Sequence, residues 1–326
     1  MVISVSHLSK IYKVPQKEPG LWGTINSFFN RKYKEVSAVS DVTFEINEGE
    51  LVGFIGPNGA GKTTTLKCLS GLLFPSGGAV SVLGFTPFDR KHDFLKKISL
   101  VMGQKNQLWW DLPAVDTFLL NKEIYEIADR TYHETLNEMI ELLDVSAVLK
   151  TQVRKLSLGQ RMKMELIAAL IHRPKVLFLD EPTIGLDVIM QQKMREFIRE
   201  YNRRHKSTII LTSHYMDDVK ELCKRVIIID HGKIIYDGLL DDIVRKHATH
   251  KQITVTLEKD IDIKKLAEIG DVKRFDFPTV VLSVEREASN FAAAELLQKF
   301  PIADLNIEEP DIEDIIRKVF RGKELV

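Results

Sequence analysis

Residues Gly56-Pro57-Asn58-Gly59-Ala60-Gly61-Lys62-Thr63 match G-x-x-x-x-G-K-[ST], and the chemistry such a run can do is to hold phosphate. Its glycines allow main-chain N–H groups from Asn58, Gly59, Ala60 and Gly61 to converge on the α and β phosphates of a nucleoside triphosphate. Lys62 can reach the β and γ phosphates, the Thr63 hydroxyl can ligate Mg²⁺, and Thr64 opens the helix that follows. That helix, predicted over Thr64 to Leu72, presents its positive end to the anion. A second group with chemistry is Asp180-Glu181, placed after the apolar run Val176 to Leu179. Ligands collect at such strand ends in parallel sheets. There Asp180 can face a metal, and Glu181 is placed to polarise an attacking water.

These groups need elements to hold them, and the chain supplies a βαβ rhythm. Leu51 to Ile55, Val176 to Leu179, Thr208 to Leu211 and Val226 to Ile229 read as buried strands, three of them separated by helical patterns. Ile3 to Val14, Ala38 to Ile46, Ala79 to Val82 and Ile98 to Met102 read as further strands, and Pro113 to Lys150 as mostly helical. Asp230-His231-Gly232-Lys233 is a hairpin turn into Ile234 to Tyr236. From Ala248 the pattern changes to a small α+β domain, with strands at Ile253–Leu257, Val280–Val284 and Ile302–Ile307 and helices near Ile263–Ile269, Glu287–Phe300 and Asp311–Phe320.

Composition limits the function classes. In 326 residues, 46 basic side chains balance 46 acidic ones, so no overall field favours nucleic acid, and none is expected as a partner. The 44% hydrophobic content is ordinary globular chemistry. No apolar stretch is long enough to cross a membrane and the first residues lack a signal-peptide pattern, so a cytoplasmic location is expected. Cys68 and Cys223 lack metal-ligand spacing and read as small core residues.

Tyr12, the phosphate loop, Gln104, Leu156-Ser157-Leu158-Gly159-Gln160, Asp180-Glu181, Gly185-Leu186-Asp187 and His214 occur in an order and spacing that resembles the ATPase subunits of ABC transporters. The likeness covers about Val2 to Leu240. It implies an α/β P-loop NTPase of the ABC ATPase type, with a mixed sheet core and a helical subdomain, spanning residues 1–247 ahead of an accessory α+β domain at 248–326. Within it, 14–36 would be an inserted segment and 105–172 the helical subdomain with the signature motif. The family implies ATP and Mg²⁺ as cofactors and a head-to-tail dimer, of identical or homologous subunits, that sandwiches two nucleotides. It further implies a polytopic membrane subunit as partner, and therefore a place on the inner face of the cell membrane.

Residue by residue, the resemblance puts Tyr12 on adenine, Gln104 between Mg²⁺, water and the membrane partner, His214 on the γ phosphate, and Asp187 and Gln160 among the nucleotide-binding set. Lys62, Glu181 and His214 form the catalytic group; Thr63, Gln104 and Asp180 the metal group. Ser157 and Gly159 precede a helix expected over Arg161 to Ile171, so a hydroxyl and helix-terminal N–H groups can meet a γ phosphate presented by the facing subunit. The chain departs from the family at Leu158, where the signature usually has glycine; its side chain is expected to point away from the nucleotide.

The Gln104 to Trp110 stretch, the insert before Ala38, Leu158 and the tail Pro310-Asp311-Ile312-Glu313-Asp314 look like ATPases of drug, antibiotic and polysaccharide exporters with separately encoded membrane subunits. Trp109 or Trp110 either lines the groove that receives a coupling helix of that subunit, since large aromatics often anchor interfaces, or packs in the core. In the insert, Leu21, Trp22, Ile25, Phe28 and Phe29 share a helical face beside Arg31-Lys32-Tyr33-Lys34. That face either packs on its own domain or touches a membrane or a membrane partner. The rival class, a soluble ABC-type ATPase working on ribosomes or DNA, usually carries two cassettes or a long coiled-coil insertion. This chain has one cassette and no sustained heptads.

Overall fold

Parallel strands buried on both faces must be apolar throughout, and the computed structural model places β3 (Leu51–Ile55), β6 (Val176–Asp180), β7 (Thr208–Thr212) and β8 (Arg225–Asp230) in that setting. The structure describes residues 1–16, 33–103, 105–247, 250–309, 313, 315 and 316. The predicted insert helix with Leu21, Trp22, Ile25, Phe28 and Phe29 lies outside the described residues, as do Gln104 and most of the predicted helix after Pro310.

The chain divides into two compact units, residues 1–237 and 238–326. In the first, a six-stranded sheet has the order β5-β6-β7-β3-β8-β9, with β5 at Ile98–Met102 and β9 at Lys233–Leu239. β5, β6, β7, β3 and β8 pair in parallel. His231 and Gly232, both at positive φ, make the two-residue turn from β8 to β9, as the hairpin reading required.

A second, antiparallel sheet joins β1 (Ile3–Pro15), β2 (Tyr33–Ile46) and β4 (Gly77–Val82) in the order β2-β1-β4. β2 begins earlier than expected: Tyr33 to Val36 extend the ladder by pairing with Pro15, Val14, Lys13 and Tyr12. Helix α1 (Lys62–Leu69) sends Leu66 and Leu69 into a core shared with Ile3, Phe44, Phe54 and Phe178. Each such buried side chain contributes roughly 1.5–3 kcal/mol, so the helix that carries the phosphate loop is anchored in the interior. Cys68 on the same helix and Cys223 are buried, and burial raises both thiols, Cys68 to about 11.

The helices that follow are α2 (His92–Leu95), α3 (Ala114–Ile124), α4 (Asp129–Leu143), α5 (Leu158–Leu170), α6 (Val188–His205) and α7 (Met216–Leu222). α5 starts three residues before the expected Arg161, because Ser157 and Gln160 close a capping box: Gln160 N donates to Ser157 Oγ (3.2 Å) and Ser157 N to Gln160 Oε1 (3.0 Å).

The second unit contains α8 (Leu240–His247), β10 (His250–Leu257), α9 (Ile263–Leu266), β11 (Asp271–Asp276), β12 (Thr279–Glu285), α10 (Ser289–Lys299) and β13 (Ile302–Glu308). From β10 onward it is a β-α-β-β-α-β unit, and its antiparallel order β11-β12-β10-β13 is that of a ferredoxin-like split βαβ fold. Ile253, Val255, Val280, Leu282, Ala292 and Leu296 form its core. β11 was not expected. Its sequence, Asp-Val-Lys-Arg-Phe-Asp, is mostly charged, and the ladder slips between Val272 and Arg274, so the period of two is broken at an edge.

His172, after α5, donates from Nε2 to the Ile98 carbonyl at 3.0 Å and stacks on Tyr125 with ring centroids 3.9 Å apart. Burial lowers its imidazole to about 4, so the fold binds it neutral. An unfolded chain takes up the proton near pH 6.5, so stability falls as pH drops from 6.5 toward 4. Between pH 7 and 5 the parent is expected to lose about 2 kcal/mol more unfolding free energy than a His172→Phe variant, measured by urea denaturation at both pH values. Equal losses would exclude His172 as the titrating group.

Candidate active site

Gly61 caps α1 with φ 112°, and a Cβ there would lie 2.5 Å from the Ala38 carbonyl oxygen. No side chain caps this helix, which leaves its first N–H groups directed at the loop. Asn58 and Gly59 are exposed, whereas Ala60, Gly61 and Lys62 are buried and Thr63 and Thr64 are half-buried in the first turn. Lys62 donates to the carbonyls of Gly56 (2.7 Å) and Pro57 (3.1 Å). Burial pulls its ammonium below the usual lysine range, against the attraction of Glu181 and Asp180.

Across the loop, the ends of β6 and β7 fix the carboxylates. Asp180 and Thr212 are register partners. Asp180 accepts hydrogen bonds from Thr212 Oγ1 (2.7 Å) and Thr63 Oγ1 (2.8 Å), so the hydroxyl and carboxylate proposed for metal are already adjacent. These are hard oxygen donors, which would suit Mg²⁺.

Glu181 turns away from the strand with φ 58°, rare for a residue with a Cβ. Its N–H is held by the carbonyl and the hydroxyl of Thr212, both at 3.1 Å. The turn brings Glu181 Oε1 to 2.6 Å from His214 Nε2. A carboxylate and an imidazole are thus paired beside a buried lysine, an arrangement able to orient and deprotonate water next to a bound phosphate.

Residues 39–184 match the family model described as ABC transporter, and residues 249–308 match the EvrA-like ABC transporter C-terminal domain. The ABC transporter ATP-binding protein NatA of Bacillus subtilis (strain 168) is 34% identical over 215 residues, 66% of this chain and 87% of that protein. The chain belongs to the ABC transporter ATPase family.

Linearmycin resistance ATP-binding protein LnrL, also of Bacillus subtilis (strain 168), is 28% identical over 87% of this ABC ATPase and 93% of its own length. The dimeric post-hydrolysis structure of the ATP-binding cassette MJ0796 bound to ADP and Pi shares the fold, with TM-score 0.60 and 21% identity over 73% of this chain and 98% of that one.

The remaining expected site residues of this ABC ATPase are more dispersed. Tyr12 is 37% exposed on β1, with Lys10 Nζ 5.4 Å from its ring centroid. Among the described residues, the hydrogen bonds of Ser157 and of the Gln160 side chain stay within their own cap. Gly159 lies inside the first turn of α5 rather than before the helix, with Met190 Cγ 3.0 Å from where a Cβ would be. Asp187 caps α6, its Oδ1 accepting from Met190 N at 2.9 Å. Leu158 rests its Cδ2 against Gly185, 3.1 Å from where a Cβ would stand.

Trp109 and Trp110 are 54% and 46% exposed, and neither lines the 510 Å³ cavity that includes Leu100, Gln107, Asn121, Tyr125 and Ala168. The Arg161 guanidinium lies 5.5 Å from the Trp110 ring centroid. Glu165 on α5 accepts the N–H groups of Gln107 (2.8 Å) and Leu108 (3.2 Å). Burial raises its carboxyl, opposed by those two N–H groups and by Arg161.

Sequence reasoning missed Thr212, which touches both Asp180 and Glu181. The available signal was a hydroxyl at the end of a buried strand, two residues before His214. It also missed Gly103, where a Cβ would stand 2.1 Å from the Glu181 carbonyl oxygen.

A Cβ at Gly56 would meet the Ile229 carbonyl oxygen at 2.1 Å, which pins the loop's entry against β8. Gly56→Ala is expected to displace the loop and weaken ATP binding by roughly tenfold or more, a shift of at least about 1.4 kcal/mol. Titration with a fluorescent nucleotide checks this; unchanged affinity would show that the loop has slack.

Proposed function

We propose that this ABC ATPase is the motor subunit of an exporter, hydrolysing Mg·ATP between two head-to-tail copies or between this chain and a homologue. The observation that carries the reading is the convergence of Lys62, Thr63, Asp180, Glu181 and His214 at the ends of β3, β6 and β7. Thr63 and Asp180 would hold Mg²⁺, whose charge neutralises the phosphate oxygens when bound. Lys62 positions the β and γ phosphates. Glu181 orients the attacking water, and His214 holds Glu181 while facing the γ phosphate. Tyr12 supplies an aromatic face for adenine.

Ser157, Gly159, Gln160 and Asp187 complete the site from the facing copy. Ser157 can accept from Gln160 N while its own O–H remains able to donate to a phosphate oxygen. The dimeric MJ0796 cassette supports pairing, and the resistance function in the printed name of LnrL supports export. Gln104, as the resemblance implies, would link the metal to a polytopic membrane partner on the inner face of the membrane. Exposed Trp109 and Trp110 and the neighbouring cavity offer apolar surface for such a partner. Among the described residues, no helix is long and apolar enough to cross a membrane. Copurification in detergent with unbiased identification of bound proteins tests the partner; ribosomal or DNA-repair proteins in place of a membrane subunit would overturn it.

Glu181→Gln is expected to bind ATP with near-parent affinity, lose at least about 10²-fold in turnover and accumulate dimers on size-exclusion chromatography with ATP. Lys62→Ala, by contrast, should raise the nucleotide Kd. Parent-like turnover in Glu181→Gln would remove Glu181 from the hydrolytic role.

A further inference from the structure

Bonded to both loops that carry Glu181 and His214 is a buried carboxylate that none of the roles above uses. Asp218, in the first turn of α7, is 0% exposed. Its Oδ2 accepts hydrogen bonds from Thr183 Oγ1 (2.5 Å) and Ser213 Oγ (2.6 Å), and its Oδ1 accepts from Arg195 Nη1 (3.1 Å). Thr183 follows Glu181 by two residues; Ser213 immediately precedes His214. A single oxygen atom therefore ties together the two loops that carry the hydrolytic pair.

The surroundings make this a fixed point. Arg195 on α6 is itself buried, and its Nε lies 2.9 Å from Glu221 Oε1, a charge contact without hydrogen-bond alignment. Glu221 is in turn paired with Arg199 at 3.2 Å. Ser213 Oγ also accepts the Tyr215 N–H at 3.0 Å, so the serine hydroxyl is committed on both sides. A buried carboxylate supported by a guanidinium and two hydroxyl donors has little freedom to move, because losing any partner leaves polar groups dry. Glu181 adds a constraint of its own: its positive φ persists only while the neighbouring chain holds it.

We infer that Asp218 is a positioning residue for ATP hydrolysis, setting the separation of Glu181 and His214 through the Thr183 and Ser213 hydroxyls. At 0% exposure it offers no surface to a nucleotide; it acts through the loops. This rests on the proposed roles of Glu181 and His214. The bonds given for the hub join the loops of the pair, so its loss should alter turnover while the phosphate loop still binds nucleotide.

The test compares kcat and KM for Mg·ATP, and fluorescent-nucleotide Kd, in the full chain carrying Thr183→Val, Thr183→Ser, Ser213→Ala or Glu181→Gln. Valine keeps the shape of threonine without its hydroxyl, and serine keeps the hydroxyl. Thr183→Val and Ser213→Ala should each lower kcat by about tenfold, with KM and Kd within about twofold of the parent. Thr183→Ser should recover kcat to within about threefold of the parent. Parent-like turnover in Thr183→Val and Ser213→Ala overturns the role of Asp218 alone. Equal impairment of the serine and valine variants does the same, since it ties the defect to packing. Parent-like turnover in Glu181→Gln overturns the roles beneath the inference, and the two failures are thereby told apart.

Discussion

Parallel pairing of β6 with β7 brings Asp180 and Thr212 opposite one another, and the chemistry of the first unit is arranged around that match. Because the two residues end their strands together, the threonine can serve two acidic neighbours: its hydroxyl holds the Asp180 carboxylate, and its carbonyl and hydroxyl hold the Glu181 N–H. A slip of one residue would send every side chain of the strand to the opposite face. The apolar residues Leu177, Phe178, Ile209 and Ile210, buried on both faces, oppose any such slip. Hydrophobic burial thereby determines the position of polar atoms to within a hydrogen bond.

The same constraint explains the unusual backbone at Glu181. A strand ending in two acids would normally direct them to opposite faces. The left-handed turn at Glu181 breaks that alternation and lets its carboxylate reach His214 while Asp180 stays toward Thr63. Gly103 is required by the outcome, since the Glu181 carbonyl fills the space where a side chain would begin. The turn, the neighbouring glycine and the supporting threonine form one local solution.

Much of this was legible because its signals are local. The phosphate loop, the buried runs of β3, β6 and β7, and the His231-Gly232 turn all combine residue types that few other structures tolerate. What escaped reading depended on partners distant in sequence. Thr212 looks like any polar strand end until Asp180 is set beside it. The first residues of β2 are exposed, so Tyr33 to Val36 offered no pattern of burial. α5 begins three residues before the expected Arg161 because the Ser157-x-x-Gln160 cap starts the helix there, even with Gly159, a poor helix former, in its first turn. β11 hid behind its charges and its register slip.

The bonds from Glu165 to Gln107 and Leu108, with Arg161 over Trp110, join the segment after residue 104 to the first three turns of α5. Two attachments at different heights on one helix resist rotation as well as translation. Mechanically, the indole is a handle on a rod whose nearer tip, one turn before Arg161, is Ser157. A displacement of Trp110 would therefore act within one turn of the helix end that Ser157 caps.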